Sequence, residues 1–175
     1  MHIMARWICL FIFLLSGFSA FAGTLTVVIK KSARRLDVYS DNRLIKSYKI
    51  GLGLRPVGAK EIQGDKKTPE GTYYVCSRNP RSQFYLSLGL NYPNLTDAER
   101  GLRERLITAP QFDAIAKAQK TRTCPPANTR LGGEILIHGN GSGSDWTWGC
   151  VALDDKEMKE LFALIPNGTP VEIKP

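Results

Sequence analysis

"IHGNGSGSDWTWGC", Ile137 to Cys150, sets an imidazole at one end and a thiol at the other end of a loop rich in glycine, serine and tryptophan. The apolar triplet Ile135-Leu136-Ile137 reads as a short buried strand that delivers His138 at its end, and Val151 to Leu153 follow the cysteine. A cysteine is a nucleophile only as thiolate, and a thiol with pKa near ~8.5 supplies little of it at neutral pH. A neighbouring imidazole changes this. His138 can take the proton, hold the two groups as an ion pair and later return the proton to a leaving amine. Its second ring nitrogen needs an acceptor. The loop offers the backbone carbonyl of Gly139 or Asn140, since no carboxylate is obviously placed for it.

Acyl chemistry also needs donors for an oxyanion. The amides of Trp148, Gly149 and Cys150 are the candidates, because Gly149 permits a turn that aims them inward, and Thr147 can brace that turn through its hydroxyl. The bland alternative is a glycine-containing hairpin around a buried cysteine. Trp146 and Trp148 either wall the substrate or pack into the core. One histidine and one cysteine, with Asp145 as the sole nearby carboxylate, fall short of a closed zinc site. Gly139, Gly141 and Gly143 lack the lysine and helix that a phosphate loop requires. No metal and no other cofactor is expected.

Outward from this stretch, Arg6 precedes an apolar run, Trp7 to Phe18, that ends in Ala20-Phe21-Ala22. This pattern predicts a signal peptide over residues 1–22 and a single domain over 23–175. The run is shorter than the ~20 residues of a spanning helix, so stable membrane insertion is not expected. Cleavage would remove His2 and Cys9, leaving His138 as the sole imidazole and Cys76, Cys124 and Cys150 as an odd set of thiols. In an oxidising compartment two can pair. Cys76 with Cys124 is the candidate disulfide, a buried thiol being the alternative, and Cys150 is kept free for chemistry. The formal charge of +8 suits an anionic partner. For an exported protein that is wall polymer or anionic lipid rather than nucleic acid.

Short alternating bursts predict strands around Leu25 to Ile29, Leu36 to Tyr39, Leu44 to Ile50, Thr72 to Ser77, Phe84 to Leu90 and Thr169 to Ile173. Gly51 to Gly64 reads as a loop. Thr96 with Glu99 has the spacing of a capping box for a helix reaching Arg105. Helices are also expected from about Pro110 to Lys120 and over Asp155 to Leu164. The sum is mainly β with a few peripheral helices.

The His-Gly of "IHG" and the Thr-x-Gly-Cys of "TWGC" together resemble the L,D-transpeptidase catalytic-domain (YkuD-type) family, exported enzymes that act on peptidoglycan stem peptides. "KTPEGTY" (Lys67 to Tyr73), "NPRSQF", "LNYPN" with Tyr92, and "GTPVEI" support the likeness, which covers nearly all of residues 23–175. The resemblance implies a β-sandwich-like domain of mixed sheets. It implies Cys150 as nucleophile and His138 as base, with Gly139 and Gly149 shaping the site. Thr147, Trp146, Trp148, Tyr92 and Arg130 are then expected against the substrate. The implied reaction is attack on the peptide bond after the third residue of a tetrapeptide stem, an L-centred diamino acid. The thioester then passes to an amine of a second stem, to a lipoprotein amine, or to water. Many members carry arginine two positions after the nucleophile, where this chain has Ala152; Arg130 or Arg78 could replace it. Hydrolysis by the same pair, as L,D-carboxypeptidase or amidase, and a non-catalytic wall-binding module are the competing readings. The sequence leaves the oligomeric state open.

Overall fold

In chain order the elements are β1 (Leu25–Lys30), β2 (Arg35–Ser40), β3 (Arg43–Lys49), β4 (Gly71–Ser82), β5 (Tyr85–Leu90), α1 (Leu95–Arg103), α2 (Ala109–Thr121), β6 (Leu136–His138), β7 (Val151–Ala152), α3 (Asp155–Leu164) and β8 (Pro170–Lys174). They belong to a computed structural model that describes residues 23–175; the expected signal peptide lies outside the described residues.

Strand alternation places Val27 and Ile29 of β1 inward with no exposure, and β2 follows antiparallel with Val27 opposite Val38. The β2–β3 connection uses Asp41 (φ 48°) and Asn42 (φ 66°), the residue types that best tolerate the left-handed pair a two-residue hairpin requires. The eight strands run β3-β2-β1-β8-β4-β5-β6-β7, with parallel pairings only at β1–β8 and β6–β7. β4 serves both halves of this mixed sheet. Its first residues, Gly71 to Tyr74, pair with β8, and the remainder pairs with β5. Val27, Ile29 and Leu36 from one half share a single core with Leu88, Ile137 and Val151 from the other, which is the sandwich-like arrangement expected. The segment after β3 joins the far edge: Gly51 pairs with Ala152 and Gly53 with Thr147, so part of the expected Gly51–Gly64 loop is sheet. The loop that ends at Cys150 is therefore tied to the segment after β3 as well as to β6.

Several boundaries shift by a residue or two, α1 ending at Arg103 rather than Arg105, and two shifts have a clear physical reason. β4 runs to Ser82 rather than Ser77, because Pro80 falls where the ladder is irregular between Asn79 and Ser82 and its missing N–H breaks no pairing there. α1 begins at Leu95, and its cap is Asn94 rather than Thr96. The Asn94 side chain accepts from the Asp97 amide (2.9 Å) and Asp97 accepts from the Asn94 amide (3.0 Å). Asparagine is the stronger cap, and its amide group also donates to the Thr72 carbonyl, tying the helix start to β4.

α3 covers the core with Met158 and Leu161, both without exposure. Truncating either to alanine costs about 2–5 kcal/mol. α1 and α2 close a second cluster of Ala98, Ile107, Ile115 and Leu131. Cys76 and Cys124 form a disulfide, Cα–Cα 5.1 Å, that joins β4 to the segment after α2 and leaves Cys150 as the free thiol among the described residues.

Candidate active site

β6 ends on His138, and its parallel neighbour β7 begins directly after Cys150. Parallel pairing across Ile137–Val151 and His138–Ala152 thus brings the ends of a long loop to one sheet edge. Both residues line a cavity of about 1040 Å³. Phe84, Trp146, Trp148 and Glu134 also line it.

The imidazole is buried and held on three sides. Nδ1 lies 2.7 Å from the Gly139 carbonyl, an atom that can only accept, so Nδ1 carries the proton and Nε2 is the basic nitrogen. Phe84 stacks on the ring at 4.6 Å with 28° between planes, and Trp146 meets it edge-on at 5.5 Å and 71°. Gly139 has no room for a side chain. A Cβ there would lie 2.4 Å from Asp155 Oδ1 and 3.0 Å from the Phe84 carbonyl, while its amide donates to that same carbonyl at 3.0 Å. The loop beyond is pinned by carboxylates. Asp155 accepts from the Asn140 amide (2.8 Å), Asp154 from the Ser142 amide (2.8 Å), and Asp145 from the Leu52 amide (2.9 Å) and the Arg34 guanidinium.

The turn that carries the thiol is built by Thr147. Its hydroxyl donates to the Cys150 carbonyl (2.7 Å) and accepts from the Gly149 amide (3.1 Å). Gly149 has φ 129°, and a Cβ there would come within 2.7 Å of the Lys67 carbonyl. That carbonyl is itself fixed. Buried Lys60 donates to Asp65 (2.8 Å), and Asp65 accepts from the amides of Glu61, Ile62 and Lys67. Burial alone would raise the Asp65 pKa; the lysine and the three amides outweigh it and hold it below the ordinary carboxylate range. One expectation changes here. The Gly149 amide is taken by Thr147, so of the three expected oxyanion donors Trp148 and Cys150 have amides not so engaged.

The sulfur accepts from the Leu136 amide (3.4 Å) and donates to the Glu134 carbonyl (3.7 Å). Burial pushes the Cys150 thiol above its usual pKa and Glu134 adds to the shift, against the Leu136 amide and the Lys60 charge. Burial likewise holds His138 below its usual value, with the Gly139 contact opposing. Both shifts favour the uncharged form. Burial of both groups therefore works against the ion pair the sequence suggests.

Of the other expected residues, Tyr92, Trp146 and Trp148 line the cavity and the arginines do not. Tyr92 touches the cavity but is buried, its hydroxyl donating to the Leu131 carbonyl (3.1 Å). Arg130 is exposed and outside the cavity wall. Arg78 donates to the Phe162 carbonyl and lies over the Phe162 ring, also outside the wall. Ala152 is fully buried in β7. Trp146 is half-buried against His138, and Trp148 is 71% exposed at the rim with Lys66 over its ring. Sequence reasoning missed Phe84 as the imidazole's neighbour and Glu134 beside the sulfur.

Comparison with known proteins places these features. The YkuD family, L,D-transpeptidase catalytic domain, matches residues 24–173. YafK of Escherichia coli (strain K12) is 38% identical over 88 residues, covering 46% of this chain and 35% of YafK. The crystal structure of Pgp2 from Campylobacter jejuni, described as a helical cell shape determining protein, aligns with TM-score 0.60 and 26% identity over 88% of this chain and 48% of that one. Bd1075 of Bdellovibrio bacteriovorus aligns with TM-score 0.58 at 24% identity over 89% and 50%, a likeness of fold. The chain thus spans about half the length of these solved relatives and matches about a third of YafK. With nearly every described residue inside the family's boundaries, the chain belongs to the L,D-transpeptidase catalytic-domain (YkuD) family.

Proposed function

We propose that the protein is an exported cysteine acyltransferase that acts on peptidoglycan stem peptides through a thioester on Cys150. The observation that carries this reading is the shared cavity of Cys150 and His138, with the Gly139 carbonyl fixing Nδ1–H and leaving Nε2 free as base. Sγ attacks the carbonyl of the third stem residue while its proton passes to His138 Nε2. The amides of Trp148 and Cys150 receive the oxyanion, which an ordinary hydrogen-bond donor pair stabilises by several kcal/mol. Collapse breaks the peptide bond, and the imidazolium returns the proton to the departing D-amino acid's nitrogen. The thioester then acylates an amine of a second stem or of a wall-linked lipoprotein, with His138 taking that amine's proton.

Hydrolysis is the second reading, and a specific observation favours it. Among the described residues no lysine or arginine lines the cavity wall, and Lys66 lies over the Trp148 ring at the rim, so the wall itself offers a second strand's carboxylate no cation while its amine attacks. Water competes at ~55 M, and a transferase must outdo it by binding its acceptor in attack geometry. Incubation with purified muropeptides decides between them: a cross-linked dimer means transfer, a tripeptide without dimer means hydrolysis. C150A is expected to yield neither. Unchanged sacculus binding and an unchanged cellular effect in C150A would instead favour a non-catalytic wall-binding module.

A further inference from the structure

The chain carries 24 Lys and Arg against 16 Asp and Glu, yet among the described residues the cavity wall contains no lysine or arginine and one acidic side chain, Glu134. This carboxylate is exposed and forms no ion pair among the described residues. Its backbone is unusual as well. Glu134 adopts φ 54°, a left-handed conformation that costs a residue with a Cβ on the order of 1 kcal/mol, directly after Gly132 and Gly133. The bend brings the Glu134 carbonyl to the sulfur of Cys150 and lets the chain enter β6, where Leu136 donates to the same sulfur. The Glu134 side chain lines the same cavity as that thiol, and its negative charge opposes ionisation of the sulfur, helping to hold the thiol above its usual pKa. A cation docked on Glu134 would remove that handicap as the substrate arrives.

We propose that Glu134 determines specificity: its carboxylate binds the free side-chain ammonium of the diamino acid in the acyl-donor peptide, the residue whose carbonyl Cys150 attacks. This rests on the proposed acyl chemistry for its substrate. A charge-assisted pair of this kind discriminates by about tenfold. The site therefore admits donors with a cationic third residue and turns away those in which that amine is already acylated.

The test uses two synthetic tetrapeptide stems that differ only at the third residue's side-chain amine, free in one and acetylated in the other. Calorimetric binding is measured on C150A and on C150A/E134Q, and release of the terminal D-amino acid on the unmodified protein and E134Q. C150A is expected to bind the free-amine peptide about tenfold more tightly, and C150A/E134Q to bind both within about twofold. In the absence of peptide, E134Q is expected to react faster with iodoacetamide at Cys150 than the unmodified protein does at the same pH. Equal binding of the two peptides to C150A, no binding of either, or a preference that survives E134Q overturns the assignment. The expected binding pattern without any amino-acid release would leave it standing and overturn the acyltransferase reading instead.

Discussion

Thr147 is the residue on which the geometry of the turn carrying Cys150 depends, and Thr147→Val is the substitution that isolates it. The two side chains have nearly the same shape, and Thr147 is 3% exposed, so valine fills the same space. What disappears is a donor 2.7 Å from the Cys150 carbonyl and an acceptor 3.1 Å from the Gly149 amide. Each orphaned buried group costs about 1–3 kcal/mol, so the pair should destabilise the fold by about 2–6 kcal/mol. At about 2–4 °C per kcal/mol for a domain of this size, the melting temperature should fall by roughly 4–24 °C. The released Gly149 amide and Cys150 carbonyl would let the turn relax. A displacement of ~1 Å at the reacting atom lowers the rate by ~100-fold. Melting followed by circular dichroism, together with the rate of acylation of Cys150 by a stem peptide, reads both effects. Thr147→Ser keeps the hydroxyl and should restore most of each. A Thr147→Val protein that acylates and melts like the unmodified one would refute the claim that this hydroxyl holds the turn.

Three further outcomes follow from the same geometry. Because the Cys150 thiol is raised, its alkylation by iodoacetamide should be slow at pH 7 and climb only above about pH 8.5, whereas a midpoint below 7 would mean a preformed ion pair. His138 has a lowered pKa in the folded state. As pH falls below about 6.5 the unfolded chain takes up a proton that the folded chain refuses, so stability should drop until the folded pKa is reached. Chemical denaturation at pH 7.5, 6.5 and 5.5 checks this against His138→Gln, in which that part of the pH dependence should vanish. Cys76→Ser opens a cross-link that spans 48 positions, for which chain entropy gives about 4 kcal/mol; a melting temperature unchanged by the substitution would contradict that figure.

Much of this architecture can be read from particular residues. The odd thiol count singles out Cys76 with Cys124, and the loop after His138 narrows the acceptor for its second nitrogen to two carbonyls, of which the structure uses Gly139. The Asp155–Leu164 helix is legible from its acidic start and its Pro-Asn-Gly close. Other features depend on contacts between distant segments and leave no local pattern. Phe84 reaches the imidazole only because β5 pairs with β6, setting Ser87 opposite His138. Glu134 is a left-handed residue that is neither glycine nor asparagine, so nothing in its identity announces the bend. Thr147 is legible as the brace of the turn before Cys150, but not that its hydroxyl takes the Gly149 amide out of the set of expected oxyanion donors. Thr96 loses the cap to Asn94 because Asn94 also reaches Thr72, a partner on another strand.

The central claim is that Cys150 carries the acyl group. Intact-protein mass spectrometry after brief mixing with a tetrapeptide stem, followed by peptide mapping, tests it directly. The account predicts a mass gain equal to the tripeptide acyl moiety, located on Cys150, labile to hydroxylamine and missing in C150A. An unmodified mass during demonstrated turnover, or an adduct on any other residue, would contradict it.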